Sequence, residues 1–368
     1  MTSAEDLEQF RDSVRTALAT LSGSARVRAA VANGGRSEED TWRVLTTQLD
    51  LAGLLLPEDV GGGGLGPAEL AVAMEEAGSA LLVAPLFATA ALAVPLLVAL
   101  GDTDALARYG PAIAAGTRTA TVALAEDDGE WALAAVRATA RQDGERWRLD
   151  GVKNYVVEGA DAGLVLVVAR AGDRTAVFAV DGTDPAVGRE RLVPLDLTRP
   201  MARLTLTSVA ATLVGTLGAD AAVESATATS RALLAAEQLG GAQRCLDMAV
   251  EYARTRIQFG RPIGSFQAVK QRLADALIQL ESARSAVYVA VRSTGPDLAV
   301  HSRIAAFMAA EAFSAVSAQN IQLHGGIGFT WEHDAQLYFK RAWTSARLLG
   351  RVGDHVAAVG RHLDQRID

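Results

Sequence analysis

The spacing of apolar residues divides the chain into a helical, a β-rich and a second helical part. Up to about Ala120, apolar residues recur three and four positions apart between glycines and prolines, a pattern typical of helices. From Thr121 to Leu217 they gather in short β-branched runs such as Val165–Val168, as in antiparallel sheets. After Ala219 helical spacing returns in long alanine- and leucine-rich stretches, which predict a helical bundle.

This order predicts an α+β protein of three domains. A doubly wound dinucleotide-binding fold is disfavoured, because helices and strands do not alternate. We expect a helical domain at residues 1–120, an antiparallel β-domain at 121–218 and a helical bundle at 219–368. Asp-Gly pairs in the β-domain predict turns between strands at 143–144, 150–151 and 181–182.

An uncharged stretch from Ser79 to Leu100 is long enough to cross a bilayer. Pro85 and Pro95 interrupt it, however, and acidic residues flank it where a membrane anchor usually carries lysine or arginine. We therefore predict two short buried helices broken at the prolines and no membrane span. The N-terminal residues carry acids and bases at helical spacing, without the apolar core of a signal peptide, so no secretion signal is expected.

Composition narrows the class of protein further. The 368 residues include 35 Lys plus Arg against 43 Asp plus Glu, a net charge of −8, and the basic residues are scattered. A nucleic-acid-binding surface is therefore not expected. Half of the residues are hydrophobic, which favours a globular fold. The single cysteine, Cys245, cannot form an intramolecular disulfide, so we expect a location in the reducing cytoplasm.

Motifs with a general chemical meaning are few. Gly61-x-Gly63-x-x-Gly66 has the letters of a dinucleotide fingerprint, but Pro57-Glu58-Asp59 precedes it and no βαβ unit follows, so we predict a flexible loop. The five histidines include no pair four residues apart. The run Glu332-His333-Asp334 is interpreted as a polar helix start, and no metal site is predicted.

Two segments of the C-terminal part are more informative. Within Arg254–Gln267 a helix is predicted to stop at Gly260, turn and restart near Phe266. The segment Gln322–Thr330 is a glycine-rich turn that follows a helix. An arginine fork beside exposed backbone amides can hold a pyrophosphate. The alternative is that the glycines only form tight turns between helices.

At these two segments the sequence resembles a known family. RTRIQFGRPIGSFQAVKQRLAD and QNIQLHGGIGFTWEHDAQLYFKRA look like the C-terminal domain of the acyl-CoA dehydrogenases, and the helix–β–helix order covers the whole chain. The resemblance implies an N-terminal helical domain, a central β-domain that faces FAD, and a C-terminal four-helix bundle that builds a dimer. It also implies α,β-dehydrogenation of an acyl-CoA thioester. A glutamate removes the α-proton, the β-hydride passes to flavin N5, and an electron-transfer flavoprotein accepts the electrons.

In this family the bundle reaches the ADP part of the FAD that the neighbouring subunit binds. The residues here that match those contacts are Arg256, Gln258, Phe259, Gln267, Gln322, Gly325 and Gly326. The resemblance therefore implies that this chain contacts FAD across a subunit interface.

The positions of the catalytic base depart from the family. Counted without gaps from the glycine-rich turn, the usual glutamate falls on Leu349, and the alternative position on the preceding long helix falls on Ser230. Leucine cannot accept a proton, and an unassisted serine hydroxyl is a poor base. Asp354 and Glu237 are candidates only if the register slips; otherwise they are expected to be solvated or capping carboxylates.

The flavin-facing positions of the β-domain depart as well. The family's Thr-Glu-Pro segment is Ala125-Glu126-Asp127 here. The next threonine or serine contact, which follows a Gly-x-Lys-x-Tyr strand, is Val157. The hydroxyl groups that would touch the flavin ring in such members are therefore missing.

The departures thus affect positions that serve this subunit's own site, whereas the residues that reach a partner's FAD are kept. Our hypothesis is a half-site subunit of an α2β2 acyl-CoA dehydrogenase, in which a paralogous partner supplies the base and the ring contacts. By analogy with actinobacterial assemblies, the substrate would be a bulky CoA thioester such as a steroid side chain. One alternative is a self-sufficient homotetrameric dehydrogenase or flavin oxidase that uses an acid such as Asp354. The other is a flavin-free scaffold subunit.

Overall fold

The computed structural model describes residues 3–36, 38–144 and 146–367. The α-helices of this part are α1 (Ala4–Leu21), α2 (Ser24–Ala32), α3 (Glu39–Thr47), α4 (Pro67–Ser79), α5 (Val94–Leu100), α6 (Thr103–Ala114), α7 (Asp220–Thr255), α8 (Gln267–Ala290), α9 (Gly295–His324), α10 (Ala335–Ser345) and α11 (Val352–Ile367). The strands are β1 (Ala120–Ala123), β2 (Thr139–Asp143), β3 (Arg146–Val157), β4 (Leu164–Ala171), β5 (Arg174–Asp181), β6 (Val187–Arg191), β7 (Met201–Val214), β8 (Ile257–Gln258) and β9 (Arg261–Pro262). The predicted helical, β and helical order is confirmed.

The chain forms two compact units. The helical unit contains Met1–Ala29, Ala71–Leu82 and Arg231–Asp368, and the β unit contains Ala30–Leu70 and Val83–Ser230. The division into domains at residues 120 and 218 stays a prediction.

Seven strands of the β unit form one sheet, in the order β1-β4-β2-β3-β7-β5 with β6 paired to β7. Because β5 also pairs with β4, the strands close into a ring that leaves few free edges. Most pairings are antiparallel, as predicted, but β4 pairs in parallel with both β1 and β2. The core of the ring contains Leu149, Val167, Phe178 and Leu204, all fully buried, and Trp147 packs on Phe178 with ring centroids 5.2 Å apart.

One predicted turn of the β unit is wrong. Asp150-Gly151 lies inside β3, where the register with β7 shifts between Leu149 and Gly151. Gly151 has a φ of 143°, and a Cβ there would lie 2.8 Å from atoms of Ala138. The glycine therefore forms a bulge in a continuing strand, which a glycine in a strand pattern can equally indicate.

The uncharged stretch also differs from its prediction. Phe87–Ala93 is a π-helix that runs directly into α5, so the helix is not broken at Pro95. Proline has no N–H to donate and its ring crowds the preceding turn, and a widened turn gives it room. Among the described residues, no helix has the length and apolar character that a membrane crossing requires.

The helical unit is built around α9, which packs against α8, α10 and α11. Small buried side chains such as Ala305, Ala309 and Ala312 line α9, so neighbouring helices come close to it. The crossing of α4 and α7 is closer still. A Cβ on Gly78 would overlap the carbonyl oxygen of Glu237, and a Cβ on Gly240 would overlap that of Glu75. This reciprocal glycine contact fixes the two helices backbone to backbone.

Candidate functional site

The Arg256 segment is a tight hairpin at the end of α7. The helix ends at Thr255, not at Gly260 as predicted, and β8 pairs with β9 in the register Gln258 to Arg261. The two turn residues, Phe259 and Gly260, have φ values of 53° and 77°. Such positive values at both positions are those of a type I′ hairpin turn, which twists with the strands.

Phe259 is an unusual residue for this turn. Bulky residues rarely adopt positive φ, and here the side chain is 91% exposed. Its ring meets the edge of Phe266 at a centroid distance of 6.2 Å, and the Arg261 guanidinium lies 4.2 Å from the Phe266 ring centroid. These contacts hold the hairpin against the start of α8 and leave Arg256 and Gln258 at the surface.

The second segment is the turn that follows α9, where Gly325–Phe329 forms a 3₁₀ turn. Gly325 has φ 65° and ψ −142°, a conformation open essentially only to glycine. A Cβ on Gly325 or Gly326 would meet no atom within 4 Å, whereas one on Gly328 would lie 2.9 Å from His324 Cβ. The first two glycines therefore present bare backbone to open space, and the third allows close packing.

The residues matched to the ADP contacts share one property, which is exposure. Arg256, Gln258, Gln267 and Gln322 are exposed, and in the part of the chain that the structure describes their side chains make no hydrogen bond or ion pair. One guanidinium, three amides and a bare glycine backbone, with no carboxylate among them, form a donor set that suits a pyrophosphate.

The positions of the β unit that were matched to flavin-ring contacts, Ala125 to Asp127 and Val157, have a different chemistry. Ala125 and Val157 are 1% and 2% exposed, so buried hydrocarbon occupies the two positions at which the resembled family has a flavin-contacting hydroxyl. Asp127, at the proline position, is held by Arg203 and accepts from Asn154 Nδ2 at 3.2 Å. A second exposed acid, Asp128, follows it directly.

Behind this segment lies a buried ion pair to which the sequence analysis assigned no role. Lys153, with no exposed surface, donates to Glu126 Oε1 at 2.8 Å and to the Leu124 carbonyl at 3.0 Å. Burial lowers the pKa of Lys153, and Glu126 offsets part of that shift. Burial also opposes the charged form of Glu126, but hydrogen bonds from Lys153 and from the backbone of Ala138 together hold its pKa below the usual range. No local pattern marked this pair, because β3 mixes charged, polar and apolar residues (RWRLDGVKNYVV).

Neither expected base position carries a proton acceptor. Leu349 is 2% exposed and left-handed, with a φ of 63°, and its carbonyl accepts from Arg231 Nε at 3.1 Å. Ser230 is also 2% exposed, and its Oγ donates to the Ala226 carbonyl one helical turn earlier at 2.9 Å. The first side chain is purely apolar and the second is engaged with its own helix.

The two acids that would become candidate bases if the register slipped have structural partners. Glu237 forms an ion pair with Arg341, both side chains being 5% exposed, and Arg341 also donates to the Leu82 carbonyl at 3.2 Å. Asp354 accepts from the Arg351 backbone N–H at 3.1 Å and caps the start of α11. Asp354 is the capping carboxylate that was expected, whereas the expectation of a solvated or capping Glu237 is wrong, because its side chain is buried in an ion pair. No group of three potential metal ligands occurs among residues 3–36, 38–144 and 146–367.

Comparison with known proteins decides the family. The N-terminal domain of acyl-CoA dehydrogenases matches residues 4–117, and the C-terminal domain matches residues 217–353. Acyl-CoA dehydrogenase IpdE2 of Mycobacterium tuberculosis is 37% identical over 350 residues, which cover 95% of this chain and 94% of that protein. The chain belongs to the acyl-CoA dehydrogenase family. Members of this family are FAD-binding oxidoreductases that act on CH–CH bonds in fatty acid or steroid catabolism.

Two solved structures are similar over nearly the whole chain. The ChsE4–ChsE5 complex from Mycobacterium tuberculosis is 31% identical with a TM-score of 0.89, covering 99% of this chain and 98% of that chain. A variant of the Tcur3481–Tcur3483 steroid acyl-CoA dehydrogenase is 32% identical with a TM-score of 0.89, covering 100% of this chain and 99% of that chain. The fold predicted from the resemblance is therefore confirmed.

The chain fits the family's cofactor in part. The exposed donor set around Arg256 and Gly325 has the chemistry that the ADP part of FAD requires. The buried hydrocarbon at Ala125 and Val157 offers no hydrogen bond to a flavin ring. This chain thus offers suitable donors for the ADP part of FAD but no side-chain donor for the flavin ring at Ala125 and Val157.

Proposed function

We propose that this chain is the half-site subunit of a heteromeric FAD-dependent acyl-CoA dehydrogenase. It would lack a base of its own and would donate contacts to the ADP part of FAD in a paralogous partner, within an α2β2 assembly. One observation carries the proposal. The matched polar side chains around Arg256 are exposed and unengaged, whereas the positions for base and ring contacts are filled by Leu349, Ser230, Ala125 and Val157.

In this assembly FAD would accept the β-hydride of the acyl-CoA. This chain's own residues would bind and orient the cofactor. The guanidinium of Arg256 can donate two parallel hydrogen bonds to phosphate oxygens, and the amides of Gln258, Gln267 and Gln322 add neutral donors. Gly325 and Gly326, which have open space on the side where a Cβ would stand, would let the ligand touch the backbone.

Exposed apolar groups beside the donor set support a subunit interface. Phe329 is 81% exposed and Trp331 is 65% exposed on the glycine turn, and Ile257 is 53% exposed on the hairpin. Large apolar side chains clustered at a surface and rimmed by polar groups usually mark a protein contact. A partner chain that covers them would bring its own FAD next to Arg256.

The substrate and the acceptor follow by analogy with relatives. The Tcur3481–Tcur3483 protein is described as a steroid acyl-CoA dehydrogenase, and ChsE4–ChsE5 is a complex of two named proteins. We therefore propose a bulky CoA thioester such as a steroid side chain as substrate. The family resemblance supports an electron-transfer flavoprotein as acceptor, and the single cysteine supports the cytoplasm as location.

The test is the FAD content of the chain purified alone and with its co-expressed paralogue. We expect little FAD in the chain alone and one FAD for each pair of chains in the complex. Arg256→Ala should weaken FAD binding by the complex about 10- to 100-fold, the value of a lost charge-assisted hydrogen bond. Arg254→Ala, which removes another exposed arginine two residues earlier, should leave FAD binding unchanged.

Two results would contradict the proposal. If the chain alone holds one FAD and is reduced by an acyl-CoA, it is a self-sufficient enzyme. If the complex keeps its FAD equally well in both arginine variants, Arg256 is not a cofactor contact and the scaffold alternative is favoured.

A further inference from the structure

Three aromatic rings in contact with one another lie next to the two candidate segments in sequence. Tyr252 of α7 stacks on His324 at the end of α9, with centroids 4.3 Å apart and ring planes at 29°. His324 in turn contacts His333, just before α10, at a centroid distance of 4.3 Å. We call Tyr252, His324 and His333 the ring column.

The ring column joins parts of the chain that are far apart in sequence. Tyr252 stands four residues before Arg256, whose backbone N–H donates to the Tyr252 carbonyl at 2.8 Å. His324 directly precedes Gly325, and His333 lies beyond the exposed Phe329 and Trp331. The column therefore connects the hairpin to the glycine turn and closes the turn at both ends.

Hydrogen bonds fix which ring nitrogens of the two histidines carry protons. His324 Nδ1 lies 2.9 Å from the Asn320 carbonyl, which can only accept, so Nδ1 carries the proton. His333 Nδ1 accepts from the Ala335 N–H at 3.2 Å, so it must be unprotonated. In this state His333 caps the start of α10 and is neutral.

We propose that the ring column positions the Arg256 hairpin and the Gly325 turn relative to each other for their contact with FAD. The inference deepens the proposed function and rests on it as far as FAD is concerned. Tyr252, His324 and His333 are positioning residues, since the donors that would touch the cofactor are their neighbours.

Burial and the charges that face the column indicate how it responds to acid. Burial lowers the pKa of His333, and His324 lowers it further. Arg28 acts in the same direction and Asp334 against it. A cavity of 350 Å³ beside the rings is also lined by Arg244, Glu251 and Glu332.

Protonation of His333 Nδ1 would remove the acceptor for the Ala335 N–H and place a charge against His324. The ordinary histidine pKa is 6.5, so His333 stays neutral at pH 7 and the column is intact. Below pH 6.5, His333 binds a proton more readily when its hydrogen bond from the Ala335 N–H is broken than when it is intact. Acid therefore favours the broken cap. We therefore expect the glycine turn to loosen as the pH falls below 6.5.

The experiment is amide hydrogen exchange of Gly325–Trp331 in the full chain, combined with the FAD content of the complex. Tyr252→Leu removes one ring and Tyr252→Phe keeps it, so the second is the matched control. We expect Tyr252→Leu to speed exchange at the turn about tenfold or more at pH 7. It should also lower the FAD content of the complex, and Tyr252→Phe should change neither quantity.

His333→Asn separates the stack from the cap, because asparagine can still accept from the Ala335 N–H. This variant should lose the additional loosening of the turn below pH 6.5, measured as the ratio of native to variant exchange at each pH. The ratio cancels the intrinsic effect of pH on exchange.

Unchanged exchange at the turn in Tyr252→Leu would overturn the inference, because the column would then have no effect on the turn. If instead exchange rises but FAD content changes in neither Tyr252→Leu nor Arg256→Ala, the proposed function fails while the link between column and turn stands. The two failures are therefore distinguishable.

Discussion

At the scale of single residues, His355 is the most perturbed imidazole of the described chain. It is 3% exposed on α11, and a Cβ on Gly350 would lie only 2.7 Å from its ring atom Cε1. Burial and the nearby guanidinium groups of Arg231 and Arg303 lower its pKa to about 4. The folded protein therefore holds a neutral imidazole through the whole mildly acidic range.

This histidine predicts a dependence of stability on pH. Above pH 6.5 neither the folded nor the unfolded chain binds the proton; as the pH falls from 6.5 to about 4, the unfolded chain binds it first. The free energy of unfolding should fall over that window by up to about 3 kcal/mol. Urea denaturation of His355→Gln at pH 7.5 and pH 5 should show a smaller loss than the native chain shows.

The control for that measurement is His362→Gln, which removes a half-buried imidazole from the same helix. It should keep the native dependence on pH. Equal losses in the native chain and in His355→Gln would mean that His355 is protonated in the folded state.

At the scale of elements, the crossing of α4 and α7 depends on two glycines. A Cβ on Gly240 would overlap the Glu75 carbonyl, and backbone atoms cannot move aside as a flexible side chain can. Gly240→Ala should therefore force the helices apart and lower the free energy of unfolding by about 3 kcal/mol or more.

Gly360→Ala is the matched control, because a Cβ at this helical position of α11 would meet nothing within 4 Å. It should raise stability by roughly 0.5–1 kcal/mol, the usual gain of alanine over glycine in a helix. Thermal denaturation compares the two. A melting temperature for Gly240→Ala at or above that of the native chain would show that the helices do not touch at this point.

Periodicity predicted most elements of this chain, and its errors have a common cause. The strand run around Val165 became β4, but Gly151 proved to be a bulge and Pro95 sits in an unbroken helix. A glycine or a proline permits a break without requiring one. Whether the chain turns there depends on its surroundings in the fold, here the pairing with β7 for Gly151 and the widened π-helical turn before α5 for Pro95.

At the scale of the whole molecule, the candidate site was predicted from sequence motifs and not from geometry. The motifs identified Arg256 and Gly325. Their exposure depends on packing, which residue spacing in the sequence does not predict. The buried Lys153–Glu126 pair and the ring column were missed for the same reason. The lysine and the glutamate are 27 positions apart in sequence, and Tyr252 lies on a different helix from His324.

The unequal support for the two parts of FAD leads to a prediction about restoring a base. Leu349→Glu would place a carboxylate at the family's usual position, yet Ala125 and Val157 would still lack hydroxyls. A base alone does not create a binding site for a flavin ring, so the variant complex should still hold one FAD for each pair of chains. Its turnover per FAD should equal that of the native complex.

Leu349→Gln is the uncharged control for the same change in shape, and thermal denaturation of both complexes shows that they remain assembled. The measurement is flavin absorbance per pair of chains, followed by reduction with the acyl-CoA substrate. A second FAD in the Leu349→Glu complex, or reduction of flavin by the variant chain purified alone, would mean that this subunit retains a complete ring site. The missing base would then be the only departure from a complete active site. The proposal that the partner supplies the ring contacts would be wrong.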